Sequence, residues 1–141
     1  MVYVDTSILV SALTVETRSL EMQQWLIAAS QTDGVLISEW TITEFSSALS
    51  VKERTGQLTW EGRGSALQSF RALIRDTFEV RTVTRQHFLF AAGLSDQSKI
   101  GFRVSDALHA AVVILEQVTL ATLDRRLAAA MNEVGASCLV P

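Results

Sequence analysis

Short apolar runs rich in β-branched residues alternate with segments of helical periodicity along the whole chain. The runs predict strands at 2–4, 35–37, 78–83, 118–121 and 137–140. The remaining segments predict helices at 6–13, 18–31, 39–54, 59–75, 85–98, 104–116 and 124–133, with a loop at 99–102. The only proline is the last residue, so none interrupts a helix. Because strands separated by helices pair in parallel through crossovers, we expect a three-layer α/β/α sandwich with a parallel five-stranded sheet.

Composition limits the class of protein and its partners. The 141 residues suit a single domain spanning 1–141. A net charge of −3 gives no overall attraction for nucleic acid or for an anionic membrane, so any contact with nucleic acid must be local. The single cysteine excludes an intrachain disulfide and a cysteine-based metal cluster. No apolar run is long enough to cross a membrane and no basic leader follows Met1, so we expect a cytoplasmic protein.

The opening segment VYVDTSIL places a carboxylate, Asp5, directly after a buried strand. Open α/β sheets bind their ligands at the carboxyl ends of their strands, so this position favours a functional role. The alternative is that Asp5 caps the following helix, because Asp accepts hydrogen bonds from the free N–H groups of a first helical turn. The segment TLATLDRRL repeats the pattern at Asp124, with the same two interpretations.

Two further acids lie within helices. In RVSDALHAAVVILE the helix is apolar on almost every side, which predicts burial against the sheet, and Asp106 lies in its first turn. Since Ser105 is available as the cap, Asp106 is not needed for capping, and a cation would offset the cost of burying its charge. His109 in the same helix is expected to be a structural histidine. In SEWTITEFSSAL, Glu44 lies at the edge of the apolar stripe, where it is either solvated or functional.

These four acids are expected to meet at one edge of the sheet, because the carboxyl ends of parallel strands lie together. A set made of carboxylates selects a hard cation such as Mg²⁺ or Mn²⁺ over zinc, which prefers nitrogen and sulfur ligands. The sequence contains no Walker loop and no HExxH motif. Chemistry carried by a metal ion and carboxylates alone indicates hydrolysis of a phosphodiester by metal-activated water.

Four segments, VDTSIL, TEFSSAL, SDALHAA and TLDRRLAAA, resemble PIN-domain ribonucleases, and most of all the VapC-type toxins of toxin–antitoxin pairs. The resemblance implies an endoribonuclease that acts on RNA, forms a homodimer and is restrained by a cognate antitoxin. It implies a catalytic quartet of acids at Asp5, Glu44, Asp106 and Asp124. It implies that Mg²⁺ or Mn²⁺ binds at Asp5, Asp106 and Asp124. The hydroxyls that orient ligands are then those of Thr6, Ser7 and Thr122.

The sequence departs from the family pattern at Arg126, where many relatives carry a further acid. This departure argues against a fully occupied second metal site.

The sequence is also compatible with two other classes of protein. A receiver-type phosphoacceptor domain also clusters acids on a five-stranded sheet, but neither Lys52 nor Lys99 is placed as that fold requires. A PIN-like binding module without catalytic activity is the second, and the retained acids argue against it.

The helices predicted at 18–31 and 59–75 carry Trp25 and Trp60 near their starts. Each of these helices has an apolar stripe, and packing against the sheet accounts for part of it. Exposed apolar patches also mark contact surfaces, and we expect a groove between these helices that accepts an amphipathic segment of the antitoxin.

Overall fold

The computed structural model describes residues 1–97, 99 and 101–141. The strands are β1 (Val2–Val4), β2 (Val35–Ser38), β3 (Glu79–Arg81), β4 (Thr119–Ala121) and β5 (Cys138–Leu139). The helices are α1 (Thr6–Leu13), α2 (Ser19–Thr32), α3 (Glu39–Arg54), α4 (Trp60–Asp76), α5 (Arg85–Gln97), α6 (Val104–Glu116) and α7 (Arg125–Glu133). The predicted alternation of strands and helices is therefore confirmed, and most boundaries move by only one or two residues.

The strands of the described residues form one sheet in the order β3-β2-β1-β4-β5, and every neighbouring pair is parallel. This is the doubly wound order in which the chain reverses its direction of travel across the sheet between β1 and β4. A receiver-type domain has the order 2-1-3-4-5 instead. The topology therefore contradicts the receiver alternative, and it places the crevice for a ligand beyond the carboxyl ends of β1 and β4.

Both faces of the sheet are covered, as the predicted three-layer sandwich requires. Val2, Val4 and Ile37 point to one face and belong to a core shared with helices α1 to α4. Tyr3 and Leu36 alternate with them and belong to a core on the opposite face with α6 and α7. Helix α5 packs on α6. No helix in the described part of the chain is long and apolar enough to cross a membrane.

The two edge strands are shorter than the predicted 78–83 and 137–140. In β3 the register pairs Glu79 with Leu36 and Arg81 with Ser38, and β2 ends at Ser38, so residues beyond Arg81 have no strand beside them. In β5 only two residues pair with β4. The predicted helix 85–98 is observed to Gln97. Residues 98 and 100, which the sequence placed at the end of that helix and in the following loop, lie outside the described residues.

The start of α3 is fixed by a capping box. Ser38, the last residue of β2, accepts a hydrogen bond from the Thr41 backbone N–H at 3.3 Å, and the Thr41 hydroxyl accepts one from the Ser38 N–H. Ser38 is thus the cap of α3. Because strand and helix share this residue, α3 rises directly from the carboxyl end of β2 and carries Glu44 to the edge of the sheet.

Packing of α3 on α4 depends on Phe45, which is fully buried and has its ring centroid 4.2 Å from that of Phe70. We expect Phe45→Ala to lower the free energy of unfolding by about 3–5 kcal/mol, because the substitution leaves a cavity in the core. Urea denaturation followed by circular dichroism measures the change. Trp60→Ala is the matched control, since 71% of Trp60 is exposed. Equal losses in the two variants would contradict this account of the core.

Candidate active site

Asp5 lies at the carboxyl end of β1 and is 5% exposed. One carboxylate oxygen accepts hydrogen bonds from the Ser7 backbone N–H at 3.0 Å and from the Ser7 hydroxyl. The other accepts one from the Thr122 hydroxyl at 2.8 Å. Burial raises the pKa of Asp5, although His109 and these hydrogen bonds act in the opposite direction. Asp5 is the cap of α1, as the capping alternative requires, and it also lies at the crevice where the functional interpretation placed it.

The hydroxyls of Ser7 and Thr122 join the ends of β1 and β4. The Leu123 backbone N–H donates to the Ser7 hydroxyl at 2.9 Å, and the Asp124 N–H donates to the Thr122 hydroxyl at 2.9 Å. Each of the two hydroxyls therefore bonds Asp5 and also receives a backbone N–H from the loop after β4. Through these bonds the loop that carries Asp124 is held against Asp5.

Asp124 caps α7. Its Oδ1 accepts hydrogen bonds from the backbone N–H groups of Arg126 at 2.8 Å and Leu127 at 3.2 Å. Its Oδ2 lies 3.9 Å from Nη1 of Arg103, an exposed side chain just before α6. The Arg126 guanidinium donates to the Gly101 carbonyl at 3.4 Å. Capping thus uses one oxygen of Asp124, and the other faces a cationic neighbour.

Asp106 lies in the first turn of α6 and is 9% exposed. Its carboxylate accepts no hydrogen bond from any residue that the structure describes. Burial and the nearby charge of Asp124 raise the pKa of Asp106, with a further contribution from Glu44, while Arg103 and His109 oppose the rise. The expected cap at Ser105 is wrong, because α6 begins at Val104 and Arg103 is its cap without a side-chain bond. Ser105 lies inside the helix.

Glu44 is half-buried in α3, which excludes the solvated alternative. Its Oε2 accepts hydrogen bonds from the Thr6 hydroxyl at 2.8 Å and from Nε2 of His109 at 2.5 Å. The Ser105 side chain also bonds Glu44. Burial by itself raises the pKa of Glu44, but the bonds from His109, Thr6 and Ser105 outweigh it, and the pKa lies below its ordinary value. Glu44 is therefore ionised at neutral pH and held by residues of two other helices, α1 and α6.

His109 connects Glu44 to the core. The ring is 2% exposed and its Nδ1 lies 2.8 Å from the Tyr3 hydroxyl. That hydroxyl also contacts Ser38 Oγ at 2.7 Å and Thr41 Oγ1 at 3.0 Å. Burial lowers the pKa of His109, but its contacts with Tyr3 and Glu44 raise it to about 10. The structural role expected for His109 fits these bonds.

Sequence reasoning missed Tyr3. A tyrosine in the otherwise aliphatic strand VYV was the available signal, because a buried phenol requires a hydrogen-bonding partner.

The donor chemistry of the site fits a hard divalent cation. Two buried acids, Asp5 and Asp106, carry raised pKa values, so their charged forms lack full compensation from the protein. Within the described residues, no three acidic, histidine or cysteine side chains stand close enough to form a ready-made metal cage. Mg²⁺ does not need one, because it keeps several waters and uses one or two carboxylates together with substrate phosphates.

The raised pKa of Asp106 sets an expected pH dependence of stability. Because the unfolded chain gives up this proton near pH 3.8 and the folded chain at a higher pH, the folded state loses stability as the pH rises through that interval. In EDTA, Asp106→Asn should therefore raise the free energy of unfolding at pH 7, and the gain should vanish below pH 3.8. Urea denaturation at several pH values measures it, with exposed Asp96→Asn as control. A loss of stability at pH 7 would show that the protein already compensates the charge.

Solved structures of similar fold include chains from toxin–antitoxin complexes. A chain of VapBC2 from Rickettsia felis, bound to a DNA fragment from its promoter, is 19% identical over 99% of this chain and 98% of that one, with a TM-score of 0.74. A chain of FitAcB from Neisseria gonorrhoeae is 16% identical over 99% and 96%, with a TM-score of 0.75. VapC20 of Mycobacterium tuberculosis, a sarcin-ricin loop cleaving toxin, is 20% identical over 92% and 95%, with a TM-score of 0.69. At these identities the similarity is one of fold.

No curated protein sequence matches the chain. The PIN domain family matches residues 2–132, which run from the first residue of β1 almost to the end of α7. This match includes the positions of all four acids. The chain belongs to the PIN domain family.

Proposed function

We propose that this protein is a metal-dependent endoribonuclease and the toxin of a toxin–antitoxin pair. The observation that carries the proposal is Asp106, a buried carboxylate without a hydrogen-bond donor among the described residues, whose pKa is raised by burial and by Asp124 and Glu44. Such a group destabilises the fold unless a cation offsets its charge. Membership of the PIN domain family and the toxin–antitoxin origin of the similar structures support the nuclease class.

In this proposal Asp5, Asp106 and Asp124 hold Mg²⁺ or Mn²⁺, and Glu44 completes the catalytic quartet. A divalent ion at such a site stabilises negative charge on a phosphodiester and lowers the pKa of water. The hydroxyls of Ser7 and Thr122 fix the orientation of Asp5, and the Thr6 hydroxyl does the same for Glu44. With Arg126 in place of a further acid, we propose one resident ion rather than two.

Local positive charge at the site supports an RNA substrate despite the net charge of −3. Arg103 lies beside Asp124, and the exposed Arg125 and Arg126 form the first turn of α7. A guanidinium makes bidentate contacts with phosphate groups. In this proposal these arginines hold the backbone of RNA next to the carboxylates. We propose that the protein acts on cellular RNA in the cytoplasm.

Substitution of the acids tests whether the protein is an active nuclease or a binding module without catalytic activity. We expect Asp5→Asn and Asp106→Asn each to lower the rate of RNA cleavage by about 100-fold or more, because each removes a charge that holds the cation. EDTA should abolish wild-type cleavage, and Mg²⁺ or Mn²⁺ should restore it. Thr122→Val and Ser7→Ala should cost less, because a hydroxyl orients a ligand without supplying charge. Sequencing the ends of the digested RNA measures the rates and maps the cleavage site.

The matched controls are acids outside the site. Asp33 ends α2, Asp76 ends α4 and Asp96 lies in the last turn of α5, and all three are exposed. Their Asn variants should cleave at the wild-type rate. Cleavage that persists in EDTA, or a loss in Asp96→Asn equal to that in Asp106→Asn, would contradict the proposed site.

We propose that the antitoxin binds a groove in the helical layer formed by α1 to α4. This layer covers the face of the sheet opposite to α6. A mostly apolar cavity of about 520 Å³ lies between α1, α2 and the end of α4, and its lining includes Leu26, Ile27, Leu73 and Phe78. The cavity touches both helices from which the sequence predicted a groove, but neither Trp25 nor Trp60 lines it. Trp25 packs against the core, whereas 71% of Trp60 is exposed. An amphipathic helix fits an apolar groove, and the net charge of −3 favours a basic polar face on it.

Ile27 is the variant site of choice, because it lines the cavity and is 59% exposed. We expect Ile27→Asp to raise the concentration of antitoxin needed for half-inhibition by about tenfold or more, since it places a charge in an apolar contact. RNA cleavage titrated with the product of the neighbouring gene measures this. Leu20→Asp is the matched control on the same helix, because Leu20 is 67% exposed and lies outside the cavity. Equal inhibition of the two variants would move the antitoxin to another surface.

We further propose that residues 1–141 act as one PIN domain and that two copies associate as a homodimer, as the family resemblance implies. Exposed Phe88 and Leu89 on α5 offer an apolar contact face. Analytical ultracentrifugation of the purified chain measures the mass directly.

A further inference from the structure

We propose that His109 is a positioning residue for Glu44, with Tyr3 anchoring the imidazole from the core. The inference rests on the proposed nuclease function of the site, and it adds a role for two side chains outside the acidic quartet. His109 does not contact the substrate in this proposal. It acts by holding one carboxylate in a fixed orientation.

The two ring nitrogens of His109 serve two different partners. Nε2 lies 2.5 Å from Oε2 of Glu44, and Nδ1 lies 2.8 Å from the Tyr3 hydroxyl. Since Glu44 is ionised and can only accept, Nε2 carries the proton of that bond. The bond on the far side of an imidazole sets its ring orientation, so Tyr3 fixes the angle at which His109 meets Glu44.

The anchor is itself held rigidly. Tyr3 is fully buried in β1, and its hydroxyl also contacts Ser38 and Thr41 of the capping box that starts α3. Its ring packs edge-on against the imidazole at a centroid distance of 5.6 Å. The strand, the helix that carries Glu44 and the helix that carries Asp106 therefore share one hydrogen-bonded unit.

The hydrogen-bonded unit restricts the orientation of the Glu44 carboxylate. A glutamate has three rotatable bonds and would sample several orientations from the surface of α3. Thr6 from α1 and His109 from α6 converge on the same oxygen, Oε2. Because His109 follows Asp106 by one helical turn, the contact also fixes Glu44 relative to Asp106. Active sites depend on such restraint by supporting residues.

Two substitutions of His109 separate positioning from simple filling of the core. The amide nitrogen of Asn takes the place of Nδ1, and that of Gln takes the place of Nε2. His109→Asn thus keeps a partner for Tyr3 and loses the bond to Glu44, whereas His109→Gln keeps a donor for Glu44. We expect Asn to lower kcat by about tenfold or more with KM changed less than about twofold, and Gln to recover most of kcat.

The control is His87, the other histidine, which is buried at the start of α5 and bonds Thr84 through Nδ1. His87→Asn should keep kcat and KM at wild-type values. Equal losses of kcat in His109→Asn and His109→Gln would overturn the proposal, because they would indicate a role in packing alone. If His109→Asn fails to fold, Thr6→Val removes the other donor to Oε2 and should produce the same fall in kcat with little change in KM.

A spectroscopic measurement keeps the inference separate from the proposed function. In protein with ¹⁵N-labelled histidine, His109 should show a slowly exchanging Nε2–H resonance, assigned with the help of His87→Asn, that disappears in Glu44→Ala. Absence of this resonance from the wild-type protein would overturn the inference even if RNA is cleaved. A wild-type protein that shows the resonance but cleaves no RNA with any divalent ion would refute the nuclease proposal and leave the His109–Glu44 contact established.

Discussion

The parallel pairing of β1 with β4 is the constraint on which the site depends. It places Asp5 beside Thr122, residues that are 117 positions apart in sequence, and their side chains bond at 2.8 Å. The same pairing opens the crevice at which the direction of the sheet reverses, and α1 and α7 begin on its two sides. Each of these helices is capped by an acid, Asp5 or Asp124, and these two caps are also proposed ligands of the cation.

Burial of charge links stability to chemistry in this fold. Helix α6 is buried from Asp106 to Val113 because it packs against the sheet, and this packing carries a carboxylate inward in its first turn. The neighbouring acids Asp124 and Glu44 increase the cost of ionising it. A cation that bound such a site would offset its negative charge. Because the cation would bind only the folded state, it would raise the free energy of unfolding. In the proposed metal site, a lower stability of the metal-free protein would therefore accompany affinity for the cation.

The other buried polar side chain of the site on α6, His109, has hydrogen-bonding partners that Asp106 lacks among the described residues. His109 and Glu44 compensate one another, and the Tyr3 hydroxyl completes the set with Ser38 and Thr41. A buried polar network is favourable only when its members are bonded, which is the case here. Within one helix the fold thus places a satisfied histidine one turn away from an unsatisfied carboxylate. In the proposed site the histidine holds the geometry and the carboxylate attracts the cation.

The sequence by itself determined the layers of the fold and the candidate acids. Alternating apolar strands and long helices predict a parallel sheet that is covered on both faces. Acids that directly follow strands indicate the edge of the sheet where the strands end. The strand order needed the tertiary structure, because local patterns do not say which strands become neighbours. So did the contact of Glu44 with His109, separated by 65 residues, and the anchoring role of Tyr3. Periodicity places a side chain on a face of its own helix, but only the packing of α3, β1 and α6 against one another decides which polar atoms meet.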